Sequence, residues 1–214
     1  MTSHAMAVDA RRMEGMKVYN LKLGMWVFLL SEIIFFTALI GSYVILRFAH
    51  PADFAAPGEV LNVNLTAFNT FLLICSSVTM VKAFAAIQHG DQKGLQNWLL
   101  ATIVIGASFV GVQVYEYIAL GHEGFVPIAE LYSVGTHEGG ALIGGALYGA
   151  TFYLMTGFHG AHVSIGVGSL IYTYYRARKG EYTADSHGGV EIMGLYWHFV
   201  DLVWIILFTI VYLI

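Results

Sequence analysis

Five stretches of this chain are long and apolar enough to cross a lipid bilayer, at roughly residues 24–47, 65–88, 97–119, 146–175 and 191–213. A helix rises about 1.5 Å per residue, so about 20 apolar residues bridge a hydrocarbon core about 30 Å thick. Hydrocarbon offers a backbone amide no water to bond, which leaves the helix as the conformation for such segments. The pattern predicts an all-α fold, an integral membrane bundle of five transmembrane helices. Composition removes the soluble alternative. Hydrophobic residues make up 57% of the chain and charged residues 11%, against about 25% charged in an ordinary soluble domain. The fourth stretch exceeds one crossing and is expected to tilt or to project from the membrane.

The connections are polar and rich in helix breakers. Residues 48–64 contain Pro51, Pro57 and Gly58, and residues 89–96 contain His89, Gly90, Asp91, Lys93 and Gly94. Residues 120–145 contain Pro127 and many glycines, and residues 176–190 contain Gly188 and Gly189. Neither a soluble domain nor an internal repeat is visible. The chain divides into a polar tail, 1–22, and a membrane domain, 23–214. The tail carries Arg11, Arg12, Lys17 and Lys22 and no apolar run. It is not a secretory signal, and the first membrane helix is expected to direct insertion.

Lys and Arg divide sharply between the two sides. The tail, the second connection (Lys82, Lys93) and the fourth (Arg176, Arg178, Lys179) fall on one side, and Arg47 stands alone on the other. The positive-inside rule places the N-terminus in the cytoplasm and the C-terminus outside. Glu123, Glu130 and Glu138 make the third connection acidic, which adds little, because acidic residues weigh weakly in that rule. No basic stripe suited to nucleic acid is present. The one cysteine, Cys75, lies in an apolar run and reads as small filler. In the fourth stretch Gly157, Gly160, Ala161, Ser164, Gly166 and Gly168 read as a face for close helix approach.

Ionisable groups at membrane depth are costly and are therefore candidates for function. Glu32 lies about 12 Å into the first span, with no basic residue beside it on its own helix. It is read either as a protonated acid bonded to a neighbouring helix or as a proton-linked or lipid-contacting carboxyl. His159 and His162 stand three apart on one helix face, as do His198 and Asp201. The four are expected to form one interhelical polar network. The alternative is ligation of haem by His159 or His162 facing His198, since imidazole is a common metal ligand. A zinc hydrolase would want His-Glu-x-x-His, which does not occur. Glu116, between Tyr115 and Tyr117, reads as an interfacial anchor at the outer end of the third span.

The order of these motifs resembles subunit III of the haem–copper cytochrome c and quinol oxidases, in a short five-helix form. The residues that carry the likeness run through every span. They are Gly24-Met25 through Ser31-Glu32 to Phe35-Phe36, then Asn69-Thr70 with Leu72-Leu73 and Ser76-Ser77-Val78-Thr79. Gln113-Val114-Tyr115-Glu116-Tyr117 follows, then Tyr148-Gly149 through Thr151-Phe152 and Thr156-Gly157-Phe158-His159-Gly160-Ala161-His162-Val163. Tyr196-Trp197-His198-Phe199-Val200-Asp201-Leu202-Val203-Trp204 closes the series. The likeness extends from Lys22 to the C-terminus and is weakest near residues 121–145.

The resemblance implies a multi-pass protein of the bacterial inner (plasma) membrane, part of an aerobic respiratory complex that reduces oxygen to water and translocates protons. It implies no catalytic centre, metal or cofactor in this chain, the haems and copper belonging to partner subunits I and II. Subunit I is the expected direct partner, with subunit II, other respiratory subunits and structural phospholipids nearby. Glu32 falls on the family's carbodiimide-reactive glutamate, and His162 and its neighbours fall near lipid contacts. The implied role is support of assembly, of stable proton uptake and of lipid binding. The larger members carry two more helices before those matched here, a pair that in some bacterial members is fused to subunit I. A membrane b-type cytochrome or quinone-reactive electron carrier, and a proton or small-solute transporter, are the competing functions; the inverted repeats common in transporters are not visible.

Overall fold

A computed structural model describes residues 3–54, 60–122, 125 and 146–213, with the side chains of residues 3–14, 17 and 146 left aside. Pro57, Gly58, Glu123, Pro127, Glu130 and Glu138 lie outside the described residues, as do the side chains of Arg11, Arg12 and Lys17. Among the described residues the regular structure is helical throughout. It comprises α1 (Ser3–Ala49), α2 (Val63–Gln88), α3 (Gln92–His122), α4 (Ala146–Arg178) and α5 (Gly188–Phe208). A short 3-10 turn follows α1 at Pro51–Asp53, and a wider π-helical turn, Thr209–Leu213, extends α5.

Local chemistry sets the ends. Helix α1 stops just before His50-Pro51, where the proline ring disfavours helical backbone in the residue ahead of it. The chain then folds back, and Phe54 packs 5.6 Å from the rings of both Tyr43 and Tyr148. Asn62 caps α2, its side-chain oxygen accepting the Leu65 amide at 3.1 Å. Between α2 and α3, Gly90 takes a φ of +75°, and the Asp91 carboxylate accepts the Gly94 amide at 2.9 Å.

Four helical segments are long and apolar enough to cross a membrane, among the described residues: Val18–Ala49, Val63–Gln88, Gln92–His122 and Gly188–Leu213. Helix α4, at 33 residues, has the length but is not one of these four. The sequence reading of five such stretches is corrected to that extent. The cause is α4's load of glycine, hydroxyl and histidine residues, several of which are turned toward other helices. The tail also differs from a separate extension, since its backbone is continuous with α1 from Ser3.

Helix α5 is the hub, packed on α1, α2 and α4, while α3 pairs most closely with α2 and also meets α4. Trp197 of α5 is wedged where its neighbours have no side chain. A Cβ built on Gly106 of α3 would lie 2.5 Å from the Trp197 ring, and one on Gly166 of α4 would lie 3.0 Å from it. Helices in lipid associate through such close packing, because lipid tails offer no hydrophobic drive. A Cβ on Gly160 would meet the Gln113 side chain at 2.6 Å. Gly168 has nothing within 4 Å of that position, and Gly157 has only the Tyr117 hydroxyl, at 3.9 Å. The expected small-residue face is therefore two faces, with Gly160 and Gly166 turned inward and Gly157, Ala161, Ser164 and Gly168 turned away from the core.

Candidate functional site

The interior polar groups begin with α2. Thr66, Asn69, Thr70 and Ser76 are buried at helical spacing along its inner face, and each bonds another helix. Trp204 and Trp197 donate their indole N–H groups to Thr70 Oγ1 and Ser76 Oγ, both at 2.9 Å. Asn69 donates to the Phe109 carbonyl at 3.3 Å. Ser77 donates to Asp201 Oδ2 at 2.6 Å. A polar side chain in a bundle core costs little once partnered and much when it is not. These bonds hold α5 and α3 in register against α2.

Glu116 belongs to this interior. It is 7% exposed, accepting from Thr66 Oγ1 at 3.0 Å and from the Tyr212 hydroxyl at 3.1 Å. It ties α2, α3 and the final π-helical turn together. The expectation of an interfacial anchor is corrected, because successive residues on a helix point about 100° apart. Only Tyr115 faces outward, at 65% exposure. Tyr117 turns in and shares a 2.6 Å hydrogen bond with Thr156 Oγ1.

The two histidines of α4 part company. His159 is fully buried, and its Nε2 donates to the Val200 carbonyl at 3.1 Å. Its ring lies 4.8 Å from Trp204 and 5.9 Å from Phe109. His162 faces α1 instead. Its Nδ1 donates to the Phe158 carbonyl at 2.7 Å, and its Nε2 lies 3.1 Å from Glu32 Oε2. Phe36 packs edge-on to the His162 ring at 5.2 Å, and Tyr196 donates its hydroxyl proton to the His162 carbonyl at 2.9 Å. The side chains of Glu32 and His162 keep 18% and 16% of their surface exposed.

The expected single network is thus three separate contacts: Glu32 with His162, His159 with the α5 backbone, and Asp201 with Ser77. His198 is half-buried on α5. A haem held between α4 and α5 would need a gap there, and the close approach of Gly166 to Trp197 fills it. Among the described residues no three His, Cys, Asp or Glu side chains converge as a metal-holding group.

Polar features also gather at the Lys- and Arg-rich end. Lys22 pairs with Glu191 at 2.6 Å, bracing α1 against the start of α5. Arg176 donates Nε–H to Glu181 at 2.6 Å and lies over the Tyr182 ring at 5.1 Å. Burial pushes the Tyr182 phenol above its usual value, with Arg176 opposing. Beside it runs an open groove of about 470 Å³ with an apolar floor of Ile165, Ile192 and Met193 and a rim of Tyr172 and Arg176.

The sequence reading singled out the acids and imidazoles but missed most of their partners: Thr66, Ser77, Tyr212 and the Val200 carbonyl. A Thr, Asn or Ser recurring at three- to four-residue spacing along α2 was the available signal.

Fold and contacts together define a class, that of polytopic helical membrane proteins whose interior acids and imidazoles are tied helix to helix. Comparison with known proteins then gives the family. Residues 11–214 match the family model described as cytochrome c oxidase subunit III, and the chain belongs to that family. A cytochrome c oxidase subunit 3 from Thermostichus vulcanus is 38% identical over 89% of this chain and 86% of its own length. A quinol oxidase subunit 3 from Bacillus spizizenii is 35% identical over 89% of this chain and 85% of its own. A probable cytochrome c oxidase subunit 3 from Rickettsia prowazekii is 34% identical over 91% of this chain and 68% of its own.

Proposed function

We propose that this chain is the non-redox third subunit of a proton-pumping haem–copper oxidase in a bacterial inner membrane. Its N-terminus lies in the cytoplasm and its C-terminus outside, as the distribution of Lys and Arg supports. It packs directly on subunit I, with subunit II in the same complex. The haems and copper reside in those two subunits. We take the complex to be of the cytochrome c oxidase type; in a quinol oxidase, the alternative, a different second subunit would co-purify.

One observation carries this reading: the family match runs through all five helices and includes Glu32, His159, His162, His198, Asp201 and Glu116. Glu32 is the residue we assign to proton-linked support of turnover. The contacts of His159, Asp201 and Glu116 support roles in holding the bundle, and hence in assembly. The groove beside Arg176 suits a phospholipid, with acyl chain on Ile192 and Met193 and an anionic headgroup at the cation.

The test is Glu32→Ala in the intact complex. Initial oxygen reduction is expected to match wild type, while proton uptake weakens or activity decays faster during sustained turnover. Endurance equal to wild type contradicts the assignment.

A further inference from the structure

Helix α5 is enclosed on three sides. On one side Trp197 donates to Ser76 and Asp201 accepts from Ser77, both of α2. On the opposite side Phe199 packs 6.5 Å from the Phe36 ring of α1. At the back the Val200 carbonyl accepts from His159 of α4. Successive residues turn about 100° around a helix, so the fourth side, between α1 and α2, is a stripe of His198, Leu202 and Ile206. Leu202 and Ile206 are 60% and 48% exposed.

His198 is the misfit in that stripe. It is half-buried, and it makes no hydrogen bond with any described residue. Asp201, one turn on, is engaged by Ser77 through Oδ2, and its Oδ1 is buried without a hydrogen-bond partner. The span runs Gly188–Leu213, so His198 lies about 15 Å from its start, near the middle of a hydrocarbon core about 30 Å thick. An imidazole always carries at least one N–H donor. Acyl chains accept no hydrogen bond, and headgroups lie too far away. An ionisable side chain on a span therefore faces protein rather than lipid.

The outward face of α3 shows what lipid contact looks like. Its exposed side chains include Leu100, Val104, Val114 and Ile118. Its Ser108 hydroxyl bonds back to the Ile105 carbonyl of its own helix at 2.7 Å. The polar group on the open face of α5 has no such internal answer.

We propose that this stripe of α5 is the docking face for the catalytic subunit I. One membrane helix of that subunit lies between α1 and α2, packs on Leu202 and Ile206, and presents a hydroxyl or carboxamide to His198. Either group both donates and accepts, so it serves the imidazole in either tautomer. The proposal rests on the reading of this chain as an oxidase third subunit and adds the face by which it is held.

The test is a photo-crosslinking residue, p-benzoylphenylalanine, placed at Leu202 and separately at Val104 in the intact complex. Leu202 is expected to give a covalent adduct with subunit I, and Val104 adducts with lipid. A complex that contains subunit I but gives no such adduct from Leu202, or gives as much from Val104, overturns the face alone. A complex without subunit I overturns the reading beneath it as well. His198→Leu supplies a second measurement, since a residue with no hydrogen bond inside the bundle can be replaced without unpairing another. It is expected to release this chain from the complex in detergent about 3- to 10-fold more readily, the size of one interhelical hydrogen bond. His198→Gln, which keeps a donor and an acceptor, is expected to stay close to wild type. Release of the His198→Leu chain no faster than wild type contradicts the proposal.

Discussion

The interlocked core of α2, α3 and α5 and the seam where α1 leans on α4 and α5 solve the same problem differently. Half of the membrane window of α5 is buried, 50%, against 11% for α1. The core is held by wedged rings and by hydrogen bonds that leave little room for motion. The seam is held by stacked aromatics and by one carboxyl–imidazole contact that keeps some of its surface exposed. Rigid packing suits a scaffold, whereas a partly exposed ionisable pair in a lightly packed seam suits a group whose chemistry must be reachable. Substitutions in the core are therefore expected to act on stability, and those in the seam on the behaviour of the complex during turnover.

The largest effect is expected from filling the Trp197 wedge. Gly106→Leu drives a side chain into the ring and is expected to cost about 1–3 kcal/mol or more, read as loss of assembled complex in detergent. Gly168→Leu, on the same kind of residue facing open space, is expected to leave the bundle's melting unchanged. Equal losses from the two would erase the distinction between inward and outward glycines.

Glu116→Ala comes next. It takes the acceptor from the buried Tyr212 hydroxyl, while Thr66 keeps the Asn62 carbonyl, and is expected to cost about 1–3 kcal/mol, seen as a lower melting temperature of the purified complex. Glu116→Gln, which keeps an acceptor oxygen, loses less. If neither variant melts earlier, Glu116 does not tie the helices as described.

The smallest effect lies outside both regions, in the loop between α4 and α5. The buried Tyr182 phenol titrates above the 10.0 of an unburied tyrosine. As pH rises past that value the unfolded chain ionises first. The stability that Tyr182 contributes is whole below pH 10 and is lost as pH climbs through the raised folded value. Tyr182→Phe is expected to make alkaline melting shallower, and parallel curves for the two proteins would contradict this.

Much of this arrangement was legible in residue order. Length and apolarity located α1, α2, α3 and α5 as spans and placed a helix at α4, whose composition falls short of theirs. What packs against what was far less readable. Tyr115-Glu116-Tyr117 looks like a belt when read along the chain, but the turn of the helix sends Glu116 inward. Glu32 and His162 are 130 positions apart, and nothing local couples them. His159 and His162 share a spacing that implies a common face, yet α4 sits between two neighbours and serves one with each ring. In each case the deciding quantity was helix rotation about its axis, which depends on all the partners together.

The central proposal concerns company rather than chemistry, namely that this chain works beside a catalytic core that holds the redox centres. The direct measurement is to capture it by a tag from gently solubilised membranes, identify the co-purified proteins by mass spectrometry, then separate the subunits and record the visible spectrum of each. Oxidase subunits I and II should come with it, and all haem absorbance should travel with them. Haem retained on this chain, or capture of the chain without a catalytic subunit, would contradict the claim.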